Sequence, residues 1–203
     1  MTPERPRGRR RSGRGSGLDG PTPGSPAAET PPADPEAVAR EICLRLLTMA
    51  PRTRAQLAEA LRRRDVPEDV ADGVLGRFTD VGLIDDEAFA RAWVESRHTG
   101  RGLARRALAA ELRRRGVADE TVNEAVAALD PEAEENAARE LIARRLPATR
   151  GQDPAKRIRR LVGVLARKGY PPGLAYRVVK EALEGEGADV EDLTPGLGEW
   201  ETG

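Results

Sequence analysis

Three stretches of the chain decide its fold: Leu61-Arg62-Arg63-Arg64-Asp65-Val66-Pro67, Leu112-Arg113-Arg114-Arg115-Gly116-Val117-Ala118 and Leu165-Ala166-Arg167-Lys168-Gly169-Tyr170-Pro171. Their leading leucines are 51 and then 53 positions apart. A second set of pairs recurs upstream at the same two offsets: Ala39-Arg40, Ala90-Arg91 and Ala143-Arg144. Two separate signatures with one spacing predict three tandem repeats of about 50 residues each.

Each repeat is predicted to contain three helices, as the second repeat illustrates. Its first helix begins at Asp85 or Asp86, which are suitable N-caps, and ends near the break at Gly100 and Gly102. A second helix follows over about 103–115. The third helix carries an apolar stripe at helical spacing, formed by Val122, Ala125, Val126 and Leu129.

The second helices of the last two repeats end in the same way. Gly116 and Gly169 each stand where a helix C-terminus favours a left-handed residue. The second helix of the third repeat buries one face through Ile158, Leu161, Val162 and Leu165, and carries Lys156, Arg160 and Arg167 nearly opposite. Sustained period-two alternation is missing, so no sheet is predicted. The predicted fold is all-α: three tandem three-helix repeats in an elongated curved array, with disordered N- and C-terminal tails.

Composition shifts along the chain set the predicted domain boundaries. Residues 1–34 are rich in Gly, Pro and Arg and almost free of large apolar side chains, which predicts a disordered tail. The repeat domain is expected over 35–184, with repeats at about 35–84, 85–130 and 131–184. Residues 185–203 are acidic and Gly-rich, and are expected to form a flexible tail.

Composition also narrows the classes of function. The chain has a single cysteine, Cys43, and a single histidine, His98, too few for a zinc site or an intramolecular disulfide. Known catalytic motifs are missing, and Asp85 and Asp86 are interpreted as helix caps rather than as metal ligands or acid–base groups. We therefore expect a non-enzymatic protein without a cofactor or bound metal. No apolar run reaches the length of a membrane span, and a cytoplasmic location is expected.

Basic residues are unevenly distributed, although 34 Lys and Arg balance 34 Asp and Glu overall. Residues 97–115 hold seven arginines and one acid, and residues 139–168 hold ten basic residues and two acids. This clustering predicts an interface for phosphates or an acidic protein groove, with solvation of helix faces as the alternative. The candidate binding residues are Arg97, Arg101, Arg105, Arg106, Arg113, Arg114, Lys156, Arg157, Arg160, Arg167 and Lys168.

One segment of the second repeat resembles the signature of RecX regulatory proteins: Gly82-Leu83-Ile84-Asp85-Asp86-Glu87-Ala88-Phe89-Ala90. The family pattern continues at matching spacing with Arg97, Gly100, Glu111-Leu112 and Gly116-Val117. The likeness covers about residues 36–184, and three tandem three-helix repeats are also the fold of that family. The arginine-rich N-terminal tail departs from the family pattern.

The resemblance implies a modulator of RecA, usually an inhibitor, that lies in the groove of the RecA filament on single-stranded DNA. It transfers no catalytic residue. By position, Arg97, Arg113 and Arg114 match the family's basic surfaces, and a monomer is expected. Two alternatives stay open at this point: a DNA-binding protein that acts without RecA, and a protein scaffold whose arginines only solvate its helices.

Overall fold

The computed structural model describes residues 34–188, which form nine α-helices and no strand. In chain order the helices are α1 (Pro35–Met49), α2 (Arg54–Arg62), α3 (Glu68–Asp80), α4 (Asp86–Arg101), α5 (Arg105–Arg113), α6 (Asp119–Ala127), α7 (Pro131–Arg145), α8 (Pro154–Arg167) and α9 (Pro172–Glu184). A 3-10 helix, Leu146–Thr149, precedes α8. Three successive sets of three helices confirm the predicted all-α repeat fold. Most of the two predicted tails, at 1–33 and 189–203, lies outside the described residues.

An aspartate caps the first helix of every repeat. The side chains of Asp34, Asp85 and Asp130 accept hydrogen bonds from backbone N–H groups in the first turns of α1, α4 and α7. Each carboxylate satisfies a donor that the helix leaves free, which contributes about 1 kcal/mol. Of the two predicted candidates for α4, Asp85 is the cap, whereas Asp86 accepts from the backbone N–H of Arg54 at 2.9 Å and so links two repeats.

Each repeat buries its own apolar core. The fully enclosed side chains include Leu57, Leu61 and Leu75 in the first repeat, Leu108, Leu112 and Val122 in the second, and Ile142, Leu161 and Leu165 in the third. Burial of one such side chain stabilises the fold by about 1.5–3 kcal/mol. Cys43 is buried in the first core, and burial raises the pKa of its thiol.

The turn after each second helix is left-handed. The backbone φ is 56° at Asp65, 75° at Gly116 and 86° at Gly169, which confirms the predicted role of both glycines. In each repeat, the backbone N–H of the next residue donates to a carbonyl oxygen in the last turn of the helix. The three bonds are Val66 to Leu61, Val117 to Leu112 and Tyr170 to Leu165. This hydrogen bond is the Schellman closure, which satisfies a carbonyl at the helix end.

The first two repeats are joined where the start of α2 meets the turn after α5. Thr53, the N-cap of α2, is buried and donates its hydroxyl to the carbonyl oxygen of Arg115 at 2.7 Å. The same hydroxyl oxygen accepts from the backbone N–H of Gln56, and the side-chain oxygen of Gln56 accepts from the backbone N–H of Thr53, so the two residues form a capping box. One side chain therefore both starts a helix and fastens the next repeat to it.

The second and third repeats are joined in the same way, but with a different donor. The backbone N–H of Ala104, the N-cap of α5, donates to the carbonyl oxygen of Lys168 at 2.9 Å. The buried hydroxyl of Tyr170 donates to the carbonyl oxygen of Gly102 at 3.1 Å. Burial, with smaller contributions from two nearby glutamates, raises the pKa of Tyr170 to about 12. At both junctions, the N-cap residue of one repeat's second helix donates to a carbonyl oxygen at the C-terminal end of the next repeat's second helix.

Some predicted boundaries differ from the observed ones. Gly100 lies inside α4, and the break comes at Gly102, whose φ is 59°. The second helix of that repeat begins at Arg105 rather than near position 103, and α6 ends at Ala127, two residues before Leu129. Leu129 still packs against the core of the second repeat.

The Ala-Arg signature fails in the third repeat. Ala39 and Ala90 are the fifth residues of α1 and α4, and both are fully buried. Ala143 lies near the end of α7 and is exposed. Its recurrence in the sequence therefore does not mark an equivalent position in the fold.

Candidate functional site

The structure divides the eleven candidate basic residues into two groups. Six side chains are exposed and have no hydrogen bond or ion pair within residues 34–188: Arg101, Arg106, Arg114, Lys156, Arg160 and Arg167. They occupy α5, α8 and the helix ends beside them. Exposed cations without an ion-pair partner keep their charge available to an anionic partner.

Arg105 is held inside the junction between the second and third repeats. Its guanidinium forms an ion pair with Glu134 at 2.7 Å and donates to the carbonyl oxygens of Val126 and Leu129. Glu134 is only 4% exposed and also accepts from the backbone N–H of Arg105. A buried carboxylate requires such a partner, so Arg105 has a structural role in this junction.

Arg157 is also enclosed, because the end of the described chain folds over it. Its side chain is buried and donates to the hydroxyl of Thr149 at 3.0 Å and to the carboxylate of Glu186. Arg150 donates to the same carboxylate at 2.9 Å. Hydrogen bonds from these two arginines, Arg157 first, lower the pKa of Glu186. The first residues of the predicted acidic tail thus contact the third repeat.

Arg97 belongs to a cluster around Trp93 that the sequence did not indicate. The guanidinium of Arg97 lies 4.1 Å from the centre of the Trp93 ring, and that of Arg115 lies 3.6 Å from it. The indole N–H donates to Glu111 at 2.8 Å, and Arg97 is 3.7 Å from the same carboxylate. Trp93 packs, partly buried, against the core of the second repeat and also stacks on Phe89. Its indole therefore holds two arginines in place through cation–π contacts.

Arg113 and Lys168 have partners but stay within reach of solvent. Arg113 forms an ion pair with Asp119 at 2.6 Å and bonds Asn123 at 3.3 Å, which ties α5 to α6. The ammonium of Lys168 donates to the carbonyl oxygen of Arg101 at 2.8 Å. These bonds leave part of each cation's hydrogen-bonding capacity unused.

A polar cavity of about 560 Å³ lies between the second and third repeats. Three cations line it, namely Arg101, Lys168 and Arg144. Arg144 was not among the predicted site residues, and it forms an i, i+4 pair with Glu140 at 3.6 Å. The cavity brings together basic residues 67 positions apart in the sequence, a proximity that only the packing of two repeats reveals.

Within residues 34–188, no group of three His, Cys, Asp or Glu side chains is arranged to hold a metal ion. No helix in that part of the chain is long and apolar enough to cross a membrane.

Comparison with known proteins identifies the family. Models of the first, second and third three-helix domains of RecX match residues 39–78, 85–126 and 132–179, respectively. A protein of Thermobifida fusca named Regulatory protein RecX is 60% identical over 179 residues, which covers 88% of this chain and 95% of that relative. The chain belongs to the RecX family. The resemblance found in the second repeat is thereby confirmed for all three.

A second relative and a solved structure agree with this assignment. The Regulatory protein RecX of Streptomyces coelicolor is 64% identical over 163 residues, which covers 80% of this chain and 87% of the relative. The crystal structure of RecX from Lactobacillus salivarius superposes with a TM-score of 0.69 at 18% identity, covering 74% of this chain and 97% of that one. At such low identity the superposition supports the fold alone.

Proposed function

We propose that this chain binds the RecA filament on single-stranded DNA and lowers both the ATP hydrolysis and the strand exchange of RecA. The observation that carries the proposal is membership of a family of regulatory proteins, found over all three repeats. In this proposal the chain is a monomeric, non-enzymatic protein that needs no cofactor. It acts in the cytoplasm, in recombinational repair and the SOS response.

The exposed cations support contact with the DNA of the filament. Arg106 and Arg114 lie on or beside α5, and Lys156, Arg160 and Arg167 lie on α8. Phosphate backbones attract such side chains, because each neutralised phosphate releases a bound counterion. Arg105 and Arg157, although predicted as candidates, contribute to this proposal by holding the third repeat in position.

The proposal is tested by adding substoichiometric amounts of the protein to RecA on single-stranded DNA and following ATP hydrolysis. We expect the rate to fall, because a protein bound along a filament affects more RecA subunits than the ones it contacts. An unchanged rate at saturating protein would contradict a regulatory action on RecA.

Two matched variants test the role of the exposed cations. The first changes Arg106, Arg114 and Arg160 to Gln, and the second changes Arg62, Arg77 and Arg139, exposed on α2, α3 and α7, to Gln. Each removes three positive charges. We expect the first to weaken filament binding by about tenfold or more and the second by less than about twofold. Equal losses would show that only net charge matters, and circular dichroism checks that both variants keep their helices.

The second candidate function is binding to DNA without RecA. The same unpaired cations favour it, since they suit any phosphate backbone. Tight, strongly salt-dependent binding to naked DNA, combined with an unchanged rate of ATP hydrolysis by RecA, would favour this candidate. A chain that shows neither effect would be a protein scaffold whose arginines solvate its helices.

A further inference from the structure

An apolar groove of about 540 Å³ lies where the first repeat meets the second. Its lining includes Leu47 from α1, Leu83 from the segment before α4, and Phe89, Ala92 and Trp93 from α4. Leu83 is 49% exposed, so apolar surface in this groove faces solvent. Concave apolar surface of this kind is typical of a binding site for a protein segment or an apolar ligand.

Arg52 provides a second, independent observation at the same place. This residue lines the groove, and its Nε is enclosed without a hydrogen-bond partner among the described residues. A guanidinium N–H is an obligatory donor, and buried donors in folded proteins almost always have an acceptor. The carboxylate of Asp85, on the groove's edge, already accepts from the N–H of Ala88. The guanidinium of Arg52 as a whole has no ion-pair partner within residues 34–188, so its charge is available to an acidic group of an occupant.

The chemistry of the groove differs from that of the cavity between the second and third repeats. That cavity is polar and is lined by Arg101, Arg144 and Lys168, whereas the groove is largely apolar and has Arg52 as its cation. A phosphate backbone is strongly hydrated and gains nothing from apolar walls. The groove therefore suits a protein segment, and the guanidinium of Arg52, which has no ion pair among the described residues, suits a carboxylate on that segment.

We propose that this groove binds a segment of a RecA subunit that inserts apolar side chains and places a carboxylate against the guanidinium of Arg52. The inference rests on the proposed function, because RecA is the partner named there. It assigns the protein contact to α1 and α4 of the first two repeats. The DNA contact then falls to the exposed cations of α5 and α8.

The test uses two alanines that are both exposed on helices. Ala92 lines the groove on α4, whereas Ala143 lies on α7 outside it. Changing either to Glu adds the same charge and keeps a good helix former. With RecA alone, without DNA or nucleotide, we expect Ala92→Glu to weaken binding about tenfold or more and Ala143→Glu to leave it within about twofold, because only the first places a charge against apolar walls. Arg52→Lys, which keeps the charge but removes the planar guanidinium, is expected to weaken binding as well.

A label on the groove identifies the occupant directly. Trp93 and Trp200 are the two tryptophans of the chain, so Trp200→Phe leaves 5-fluorotryptophan at position 93 alone. We expect the fluorine signal to shift when unlabelled RecA is added. A shift that instead follows the concentration of the chain itself would show a second copy in the groove. A shift caused by deleting residues 1–33 or 189–203 would show a segment of the same chain, and either result would overturn the inference.

The inference and the proposed function fail separately. If the wild-type chain lowers the rate of ATP hydrolysis by RecA and Ala92→Glu lowers it equally, the groove is not the RecA contact and the regulatory function stands. If the wild-type chain leaves the rate unchanged, the proposed function fails whatever the variant does.

Discussion

Gly116 and Gly169 each meet two requirements at one position. Their φ values of 75° and 86° lie in the left-handed region that side chains with a Cβ disfavour. Both also touch the preceding repeat: a Cβ on Gly169 would lie 2.5 Å from the backbone nitrogen of Ala107, and one on Gly116 would overlap the Cβ of Ala55. Glycine at these turns therefore ends a helix and lets two repeats approach closely.

Substituting these glycines separates the two requirements. Gly151 has a φ of 76° but no atom near its missing Cβ, so Gly151→Ala measures backbone strain alone. We expect Gly151→Ala to lower the free energy of unfolding by about 1 kcal/mol. Gly169→Ala should lower it by a further 1–3 kcal/mol or so, because the clash is with backbone that cannot rotate away. Urea denaturation measures both, and equal losses would mean that the junction yields without cost.

Gly116 supplies the internal control for this prediction. Its neighbour is the Cβ of Ala55, which a second substitution can remove. Gly116→Ala combined with Ala55→Gly should be less destabilised than the sum of the two single changes. Strict additivity would show that the two positions do not touch in solution.

The left-handed glycines were predictable from the sequence, whereas the close contacts were not. A glycine after a basic helix end indicates a C-terminal cap because only local backbone geometry is involved. The approach of Gly169 to Ala107 joins residues of different repeats, and no local pattern encodes it. Asp65 occupies the same turn in the first repeat with a φ of 56°, and it is exposed. No described repeat packs against it, so the close approach that demands glycine is missing there.

At the scale of helices, periodicity predicted the number and type of elements but not every boundary. The number of residues between the second helices of successive repeats depends on the lengths of all the helices and loops that separate them. In the third repeat α8 begins at Pro154, four residues before the position equivalent to Arg105, and a 3-10 helix precedes it. Since these changes lie between α7 and α8, the Ala143-Arg144 pair matched the repeat spacing without matching the repeat structure.

Which basic residues would be enclosed was also beyond the sequence. The acceptors of Arg105 and Arg157 are Glu134 and Glu186, each 29 positions away along the chain. Helix periodicity places a side chain on a face, but it does not show which other helix covers that face. The exposed and enclosed arginines therefore look alike until the repeats are packed together.

The turn after α9 makes stability depend on pH. The hydrogen bonds from Arg157 and Arg150 lower the pKa of Glu186, so the folded state holds this carboxylate ionised more strongly than the unfolded state does. The resulting stabilisation is present above the usual carboxyl pKa of 4.5 and is lost as the pH falls through the lower folded value. Glu186→Gln should therefore be less stable than the wild type at neutral pH, and this difference should shrink in acid.

Urea denaturation of both proteins at neutral pH and in acid measures this difference. Glu95→Gln is the control, since Glu95 is exposed on α4 without an ion pair within the described residues. That variant should match the wild type at neutral pH. A difference between wild type and Glu186→Gln that is independent of pH would show that the contact is not ionic.

Across the whole chain, equal numbers of basic and acidic residues conceal a regional division of charge. The third helices of the first two repeats begin with acidic residues, such as Glu68 and Asp119, while α5 and α8 carry unpaired cations. A neutral chain of this kind can attract a polyanion only through particular surfaces. The net charge of the chain therefore excludes no class of partner, and the positions of the charged residues determine which partner the surface can bind.

Two arginines of the chain allow the effect of position to be tested with two variants of equal net charge. Arg91 and Arg144 each form an i, i+4 pair with a glutamate at 3.6 Å, and their side chains are 62% and 65% exposed. Only Arg144 lines the basic cavity between the second and third repeats. Changing either to Gln removes one charge and one weak surface pair, so stability should change little in both cases.

Their effects on binding to single-stranded DNA should differ. If the cavity of Arg101, Arg144 and Lys168 receives a phosphate, Arg144→Gln should weaken binding and reduce the slope of log affinity against log salt by about 0.7, the value for one contact to a single strand. Arg91→Gln should leave affinity and slope unchanged. Fluorescence anisotropy over a range of salt concentrations measures both quantities. Equal slopes for the two variants would mean that Arg144 contributes no more to DNA binding than an exposed arginine outside the cavity. The DNA contact would then be confined to the exposed cations of α5 and α8.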